Sequence, residues 1–217
     1  MDSAADGRSF GAIHFSYYCR NATKADDTPR DAHPLTLKRA DKSRVNYSQL
    51  VPYESKELQL HKPEYRNLCN CFQELFEWIE KKLRSFFPGL FQKISILAST
   101  LPGNQDVPAY PFSGFVLNIN VATRVHRDGK DLLACLVLPI GNFTGGDLVL
   151  YEPGLVLPLR LGDLVFFRSP EISHFNLHFC GVRASLVCHT DREGVVWSQT
   201  GNGWNGSSAF DDGGVAA

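Results

Sequence analysis

Between Pro63 and Phe87 the apolar residues Leu68, Phe72, Leu75, Phe76, Ile79, Leu83 and Phe86 recur at intervals of three and four, the spacing that draws one stripe along a helix. Pro63 suits a first helical turn and the "FPG" of 87–89 a stop. Glu77 with Lys81 and Glu80 with Arg84 stand as i,i+4 pairs on the outer side. The pattern predicts one helix over 63–87, bracing the outside of a sheet. After Gly103 the period changes: short runs rich in Val, Leu, Ile and Phe alternate with Gly, Pro, Asn and Asp turns. Strands are expected at 114–121, 132–138, 147–151, 155–159, 163–167, 174–179 and 183–190, linked by "PIGNFTGG", "EPG", "RLGD" and "CG". Such a succession makes an antiparallel, mainly β plan of jelly-roll or barrel type with a flanking helix.

Residues 1–50 are polar and show no sustained periodicity, which predicts a disordered or loosely attached arm. Residues 51–200 are expected to form one β-rich domain including the bracing helix, and 201–217 a flexible Gly-rich tail. A chain of 217 residues with 43% hydrophobic positions can bury a sizeable core. The net charge of −1 does not advertise a nucleic-acid binder, so any DNA contact must come from local patches. The six cysteines are scattered and lack zinc-like spacing, which favours buried thiols over disulfides or a zinc site. Neither a basic segment leading into an apolar run at the N-terminus nor a stretch of about 18 apolar residues is present, so a soluble intracellular protein with no membrane partner is expected.

The stretch "VATRVHRDGKDLLACLVLPIG", beginning at Val121, carries the chemistry. On a strand His126 and Asp128 point the same way, with Arg127 pointing away. A lone H-x-D is weak, and "HTD" at His189–Asp191 is a second match. Only the first is followed by a further His and Arg in one β region: His174 in "SPEISHFNLHF" and Arg183 in "GVRASLV". Two His and one carboxylate on one face are the ligand set of non-haem Fe(II) sites with open positions. His174 and His178 both lie on one side of their strand. If Cys180 and Gly181 make a two-residue hairpin turn, His178 sits directly across from Arg183, too close for a ligand between them. His174 lies four residues further, about 13 Å along the strand. His126, Asp128 and His174 are therefore the candidate metal ligands. Arg183 is the candidate clamp for a distal carboxylate, with Ser185 adding a hydroxyl on the same face. The bland alternative makes all of these satisfied polar residues of an inert β domain.

Together, H-x-D, the Gly-rich turn in "FTGGDLVLYEPG", the strand "LGDLVFF", the distal His and an Arg nine residues later resemble the Fe(II)/2-oxoglutarate dioxygenases. The blocks "NINVATRVHRDGKDLLACLVLPIG", "LVLYEPGLVLPLRLGDLVFFRSPEISHFNL", "RASLVCHTDREG" and "NLCNCFQELFEWIEKKL" resemble more closely the fungal branch of the TET/JBP nucleobase dioxygenases, over roughly residues 45–205. This resemblance implies a double-stranded β-helix, the cupin-like jelly roll. It also implies Fe(II), 2-oxoglutarate and O2 as cofactor and co-substrates, and oxidation of a methylated base in DNA, typically 5-methylcytosine. It assigns iron to His126, Asp128 and His174 and 2-oxoglutarate to Arg183. Polar groups near the iron would read the flipped base: Asp131, Asn118 or Asn120, and His189 with Asp191. A solvated turn carboxylate paired with Lys130 or Arg127 is the plain alternative for Asp131. Phe112, Phe115 or Phe175 would supply stacking, and Arg124, Arg127, Lys130, Arg168 and Arg192 a positive rim. A nuclear location would follow from a DNA substrate, although "LKRADKSR" is thin as an import signal. Two rivals stay open: a dioxygenase of the same fold acting on N6-methyladenine, a prolyl side chain or a small molecule, and a catalytically silent nucleic-acid- or protein-binding β-helix domain.

Overall fold

The computed structural model describes residues 11–21, 50–101 and 107–200. Strand β1 (Gly11–Asn21) and strand β2 (Leu50–Glu54) are followed by four helices: α1 (Lys56–Leu60), α2 (Lys62–Cys71), α3 (Gln73–Phe86) and α4 (Pro88–Thr100). Seven more strands follow: β3 (Gly114–Ile119), β4 (Cys135–Gly145), β5 (Leu148–Leu150), β6 (Leu155–Leu157), β7 (Val165–Phe167), β8 (His174–Asn176) and β9 (Phe179–His189). Helix α5 (Arg192–Thr200) closes the described chain.

The strands make a six-stranded sheet in the order β2-β1-β3-β9-β4-β7 and a three-stranded sheet in the order β6-β5-β8. Every pairing is antiparallel. Alternation along the strands separates two environments. Phe15, Phe115, Leu136, Leu138, Leu186 and Cys188 face the helices and join Phe76, Ile79, Leu83, Ile94 and Leu97 in the main core. A smaller core lies between the sheets, with Cys135, Leu148, Leu150 and Phe167 at its centre and Val137 and Val187 packed against it. The result is a double-stranded β-helix with helices on the outer face of its larger sheet.

Several expectations change. The polar arm of 1–50 is not an arm over Gly11–Asn21, which pairs with β3 from Gly11↔Ile119 to Ser16↔Gly114 and with β2 beyond. Its edge is tied down by Ser55, whose backbone N–H donates to the Ser16 carbonyl at 2.9 Å and whose hydroxyl donates to the His14 carbonyl. The remaining arm positions and the 201–217 tail lie outside the described residues. The single helix of 63–87 is two, separated at Phe72, and a further helix follows Phe87. A residue before proline is kept out of the helical region, and Phe87 adopts φ −134° before Pro88, which opens α4. Thus "FPG" is a corner between helices. Of the two ion pairs predicted on α3, Glu80–Arg84 forms at 2.7 Å, whereas the Glu77 carboxylate accepts from Gln73 Nε2 at 3.2 Å.

The hairpin at Cys180–Gly181 does not exist, because both residues lie within β9 opposite Thr144 and Phe143. Gly181, at φ +110°, lets β4 come so close that a Cβ would stand 2.3 Å from the Asn142 carbonyl oxygen. That glycine serves an approach between strands instead of a turn, and "PIGNFT" continues β4 instead of linking two strands. The six cysteines form no disulfide; Cys19, Cys69, Cys135 and Cys188 are buried, and Cys71 and Cys180 are exposed.

Candidate metal centre and pocket

His126 precedes β4 in an irregular segment fixed by an isolated bridge to β8: its N–H donates to the His174 carbonyl at 3.1 Å, and the His174 N–H returns to the His126 carbonyl at 2.9 Å. The bridge puts two imidazoles side by side, ring centroids 4.3 Å apart. The Asp128 N–H donates to the Ser169 carbonyl at 3.1 Å. Its carboxylate stands between the rings, 3.6 Å from His126 Nε2 and 3.3 Å from His174 Nε2. One donor atom from each of the three lies within 4.8 Å of the others.

The outer ring nitrogens explain the orientation. Nδ1 of His126 lies 2.7 Å from the Arg124 carbonyl, and Nδ1 of His174 lies 2.9 Å from the Ile172 carbonyl. An Nδ1–H donated to a carbonyl leaves Nε2 with its lone pair, the arrangement in which a histidine binds a metal. Phe167 packs edge-on against His174 at 4.8 Å. His178, the rejected alternative, is exposed, with its carbonyl accepting from Gly146. His174 thus joins the cluster for a reason other than the hairpin: Leu177 and His178 carry the chain from the small sheet to the large one.

For the Asp128 carboxyl, burial favours the neutral acid but is outweighed by the hydrogen bond and charge of His174 and by His126, so its pKa falls below the ordinary value. Burial likewise opposes charging of His174, yet the Asp128 contact and the Ile172 carbonyl win and raise its pKa. A metal must displace the His174 proton. Divalent-metal affinity is therefore expected to rise with pH across the histidine titration range, with proton release, as the solution passes through the raised His174 value. Co(II) titrations over that range, which need no turnover, check the sign; pH-independent affinity would contradict it.

On β9, Arg183, Ser185, Val187 and His189 face the small sheet. Arg183 is 3% exposed, and its Nε is buried without a hydrogen-bond partner among the described residues. Its guanidinium makes no ion pair among the described residues and lies 5.4 Å from the Phe143 ring and 5.9 Å from that of Phe179. Trp197 Nε1 on α5 is likewise unpartnered, but it is neutral. A buried cation without a counter-charge is costly, so the surroundings of Arg183 suit an anion. Gly146 makes the space: at φ +78°, a Cβ there would meet Arg183 Nε at 3.1 Å and Cδ at 3.2 Å. Gly146→Ala is expected to push the guanidinium aside and weaken the binding of a dicarboxylate at Arg183 by about 10-fold, roughly one lost charge-assisted hydrogen bond. Isothermal titration with small dicarboxylic acids checks it; an unchanged affinity would show that the Arg183 position is not critical.

A pocket of about 720 Å³ is lined by the three candidate ligands together with Asn118, Asp131, Ser185 and His189. The other candidates divide. Asp131 accepts from Ser169 Oγ at 2.8 Å and lies 3.5 Å from His189 Nδ1, so it is not a solvated turn carboxylate. His189 has both ring nitrogens engaged, Nε2 lying 3.0 Å from Ser16 Oγ. Asp191 lines the pocket, but its carboxylate accepts from the Cys19 and Glu193 N–H groups at 2.7 and 3.1 Å, tying β1 to the start of α5. Asn120 is a correction: at φ +56° it donates its N–H to the Arg183 carbonyl at 2.7 Å, and its Oδ1 accepts from the Arg183 N–H at 3.2 Å. It fastens β3 to β9 instead of reading a substrate. Phe112 and Phe115, offered as stacking rings, are buried in the helix-side core. Of the expected rim, Arg127 pairs with Glu152 and Arg168 with Glu171, each at 2.5 Å, and Arg127, Lys130 and Arg192 line the pocket.

Sequence reasoning did not name His14, Tyr18, Tyr53 or Asn176, which also line the pocket. The signal was present in "IHFSYYC", where His14, Ser16 and Tyr18 alternate with Phe15, Tyr17 and Cys19.

No protein-family model matches the chain, and no curated protein matches it. Among solved structures it is similar to "NgTET1 in complex with 5mC DNA", with a TM-score of 0.56 and 16% identity, covering 86% of this chain and 62% of that one. The chain thus spans about 62% of that protein's length, and the likeness is one of fold. Two further matches are a 2OG-Fe(II) oxygenase family oxidoreductase from Burkholderia pseudomallei and OsALKBH1. The first has a TM-score of 0.34 and 19% identity over 37% of this chain and 47% of that one. The second has a TM-score of 0.35 and 12% identity over 87% and 84%. No helix among the described residues is long and apolar enough to cross a membrane.

Proposed function

We propose that this chain is an Fe(II)- and 2-oxoglutarate-dependent dioxygenase of the TET/JBP kind that oxidises the methyl group of 5-methylcytosine in DNA. The observation that carries the reading is the meeting of His126, Asp128 and His174 at one pocket, with Arg183 on β9 buried and, among the described residues, without an ion-pair partner. The donor set fits Fe(II), since two neutral imidazole nitrogens and a carboxylate leave coordination positions for other oxygens. Arg183 fits one end of a dicarboxylate, and Ser185 stands two residues on along the same face. When bound, the iron supplies the activation of O2 that drives 2-oxoglutarate to succinate and carbon dioxide and inserts one oxygen atom into a C–H bond.

The residues hold, orient and shield. Asp128 supplies the one negative charge among the three candidate ligands, and the Arg124 and Ile172 carbonyls keep both imidazoles turned inward. Arg183 holds the far carboxylate in a water-poor position flanked by Phe143 and Phe179, so a single orientation of the co-substrate is favoured. A base within a duplex must leave the stack to reach such a pocket. The choice of a methylated base in DNA is supported by the NgTET1 likeness and by Lys130 and Arg192 at the pocket. The finer likeness to the fungal branch rests on the sequence blocks, and a nuclear location belongs to the same proposal.

The test is anaerobic Fe(II) loading followed by an aerobic succinate assay on duplexes carrying 5-methylcytosine, N6-methyladenine or no modified base. Succinate stimulated by the 5-methylcytosine duplex, with the oxidised nucleoside detected by mass, is the expected result. Stimulation by another substrate class alone would move the assignment within the dioxygenases. Absence of iron binding would favour the silent binding domain.

A further inference from the structure

His14, Ser16 and Tyr18 share the inner face of β1, the strand nearest β2 in the large sheet. There they meet the end of β9. Tyr18 lies 5.7 Å from the His189 ring at an interplanar angle of 36°, and 5.9 Å from the Tyr53 ring on β2. Ser16 and Asp131 occupy the two nitrogens of His189, which leaves that residue its ring face. His14 Nδ1 is 2.9 Å from the Tyr18 hydroxyl, while its Nε2 has no hydrogen-bond partner among the described residues. Both His14 and Tyr18 line the pocket that holds the candidate metal ligands.

The pair is uncharged near neutrality. Burial pushes the Tyr18 phenol up to about 12. Burial also lowers His14, opposed by Glu57 and reinforced by His189. This end of the pocket therefore offers flat aromatic surface, one open imidazole nitrogen and, from β3, the Asn118 amide, which can both donate and accept. It offers little to an aliphatic ring. An uncharged planar nitrogen heterocycle with donors and acceptors on its edge matches it.

We propose that β1 supplies the substrate-selecting wall of the pocket, with Tyr18 packing on the face of a nucleobase and His14 Nε2 bonding its edge. This rests on the dioxygenase reading and deepens it by naming residues that recognise the base.

The test isolates the base from the phosphates, whose attraction would otherwise dominate binding. Two fluorescein-labelled duplexes are compared by anisotropy, one carrying 5-methylcytosine opposite an abasic site, which eases flipping, and one carrying an abasic site in place of that base. In the wild-type chain the base is expected to add about 10-fold or more to affinity, the scale of one stacked and hydrogen-bonded ring. Tyr18→Leu and His14→Ala are each expected to reduce that increment to about two-fold. Tyr18→Phe, which keeps the ring but releases His14, should fall between, and His14→Gln should recover part of the loss. The two conservative variants keep the test decisive if the larger changes impair folding. A wild-type increment near one, or an increment retained in every variant, overturns the proposal. Co(II) titration of the same proteins separates the two readings. If no metal binds but the base increment still collapses in the variants, the dioxygenase assignment fails and the recognition wall stands.

Discussion

Asp128→Ala is expected to lower Fe(II) affinity by more than ~100-fold and to abolish 2-oxoglutarate turnover. Losing an outer partner of a metal ligand already costs about 10- to 100-fold, and Asp128 is itself the only carboxylate in the His126–Asp128–His174 group. Without it, two imidazoles 4.3 Å apart would face a divalent cation with no negative charge between them. His126→Ala should likewise remove turnover while leaving the fold intact, because His126 is more than a third exposed and lies outside both hydrophobic cores. Metal stoichiometry by elemental analysis after anaerobic loading is the direct measurement. One equivalent retained by Asp128→Ala at wild-type affinity would remove this cluster from consideration.

Arg183→Ala is expected to raise the half-saturating 2-oxoglutarate concentration by roughly 100-fold while leaving metal affinity nearly unchanged. A charge-assisted hydrogen bond is worth about 1.5–3 kcal/mol, and every 1.4 kcal/mol is tenfold. Arg183→Lys should recover only part, because a point charge cannot reproduce a planar fork. A second effect has the opposite sign. The guanidinium is buried with no ion pair among the described residues, so Arg183→Met should raise the melting temperature measured without added anion, a gain on the order of 1–3 kcal/mol. Thermal unfolding with and without 2-oxoglutarate measures both. A destabilised, still responsive Arg183→Met protein would mean that the cation is satisfied by the fold itself.

Legibility in the sequence followed periodicity and local chemistry. Most strands from Gly114 onward were readable within a few residues because each has an apolar face and a turn at its end. But β4 runs seven residues past the expected 138 and β9 begins four before the expected 183, because "PIGNFT" and "CG" pair with each other as strand instead of turning. The cluster of His126, Asp128 and His174 was readable because H-x-D fixes two side chains on one face, although His174 was chosen through a hairpin that β9 does not contain. Two kinds of feature were not legible. In β1 the alternation is real, but its inner residues are polar because they line a pocket, so the segment looked like part of a solvated arm. Asn120 looked like a substrate amide, and only the left-handed backbone and its two bonds to Arg183 identify it as a fastener. Both depend on a partner strand more than 60 residues away, which no local window contains.

The place of β9 in the large sheet has a consequence for how the chain is made. It lies between β3 and β4, yet among the described strands it is the last to be synthesised. Until it emerges, β1 and β3 on one side and β4 and β7 on the other have no strand joining them, and neither half carries Arg183. Long-range pairing of this sort is slow to form. A ribosome-bound chain stopped before Phe179 should therefore remain sensitive to protease throughout its β region, and protection should arrive in one step once β9 clears the exit tunnel.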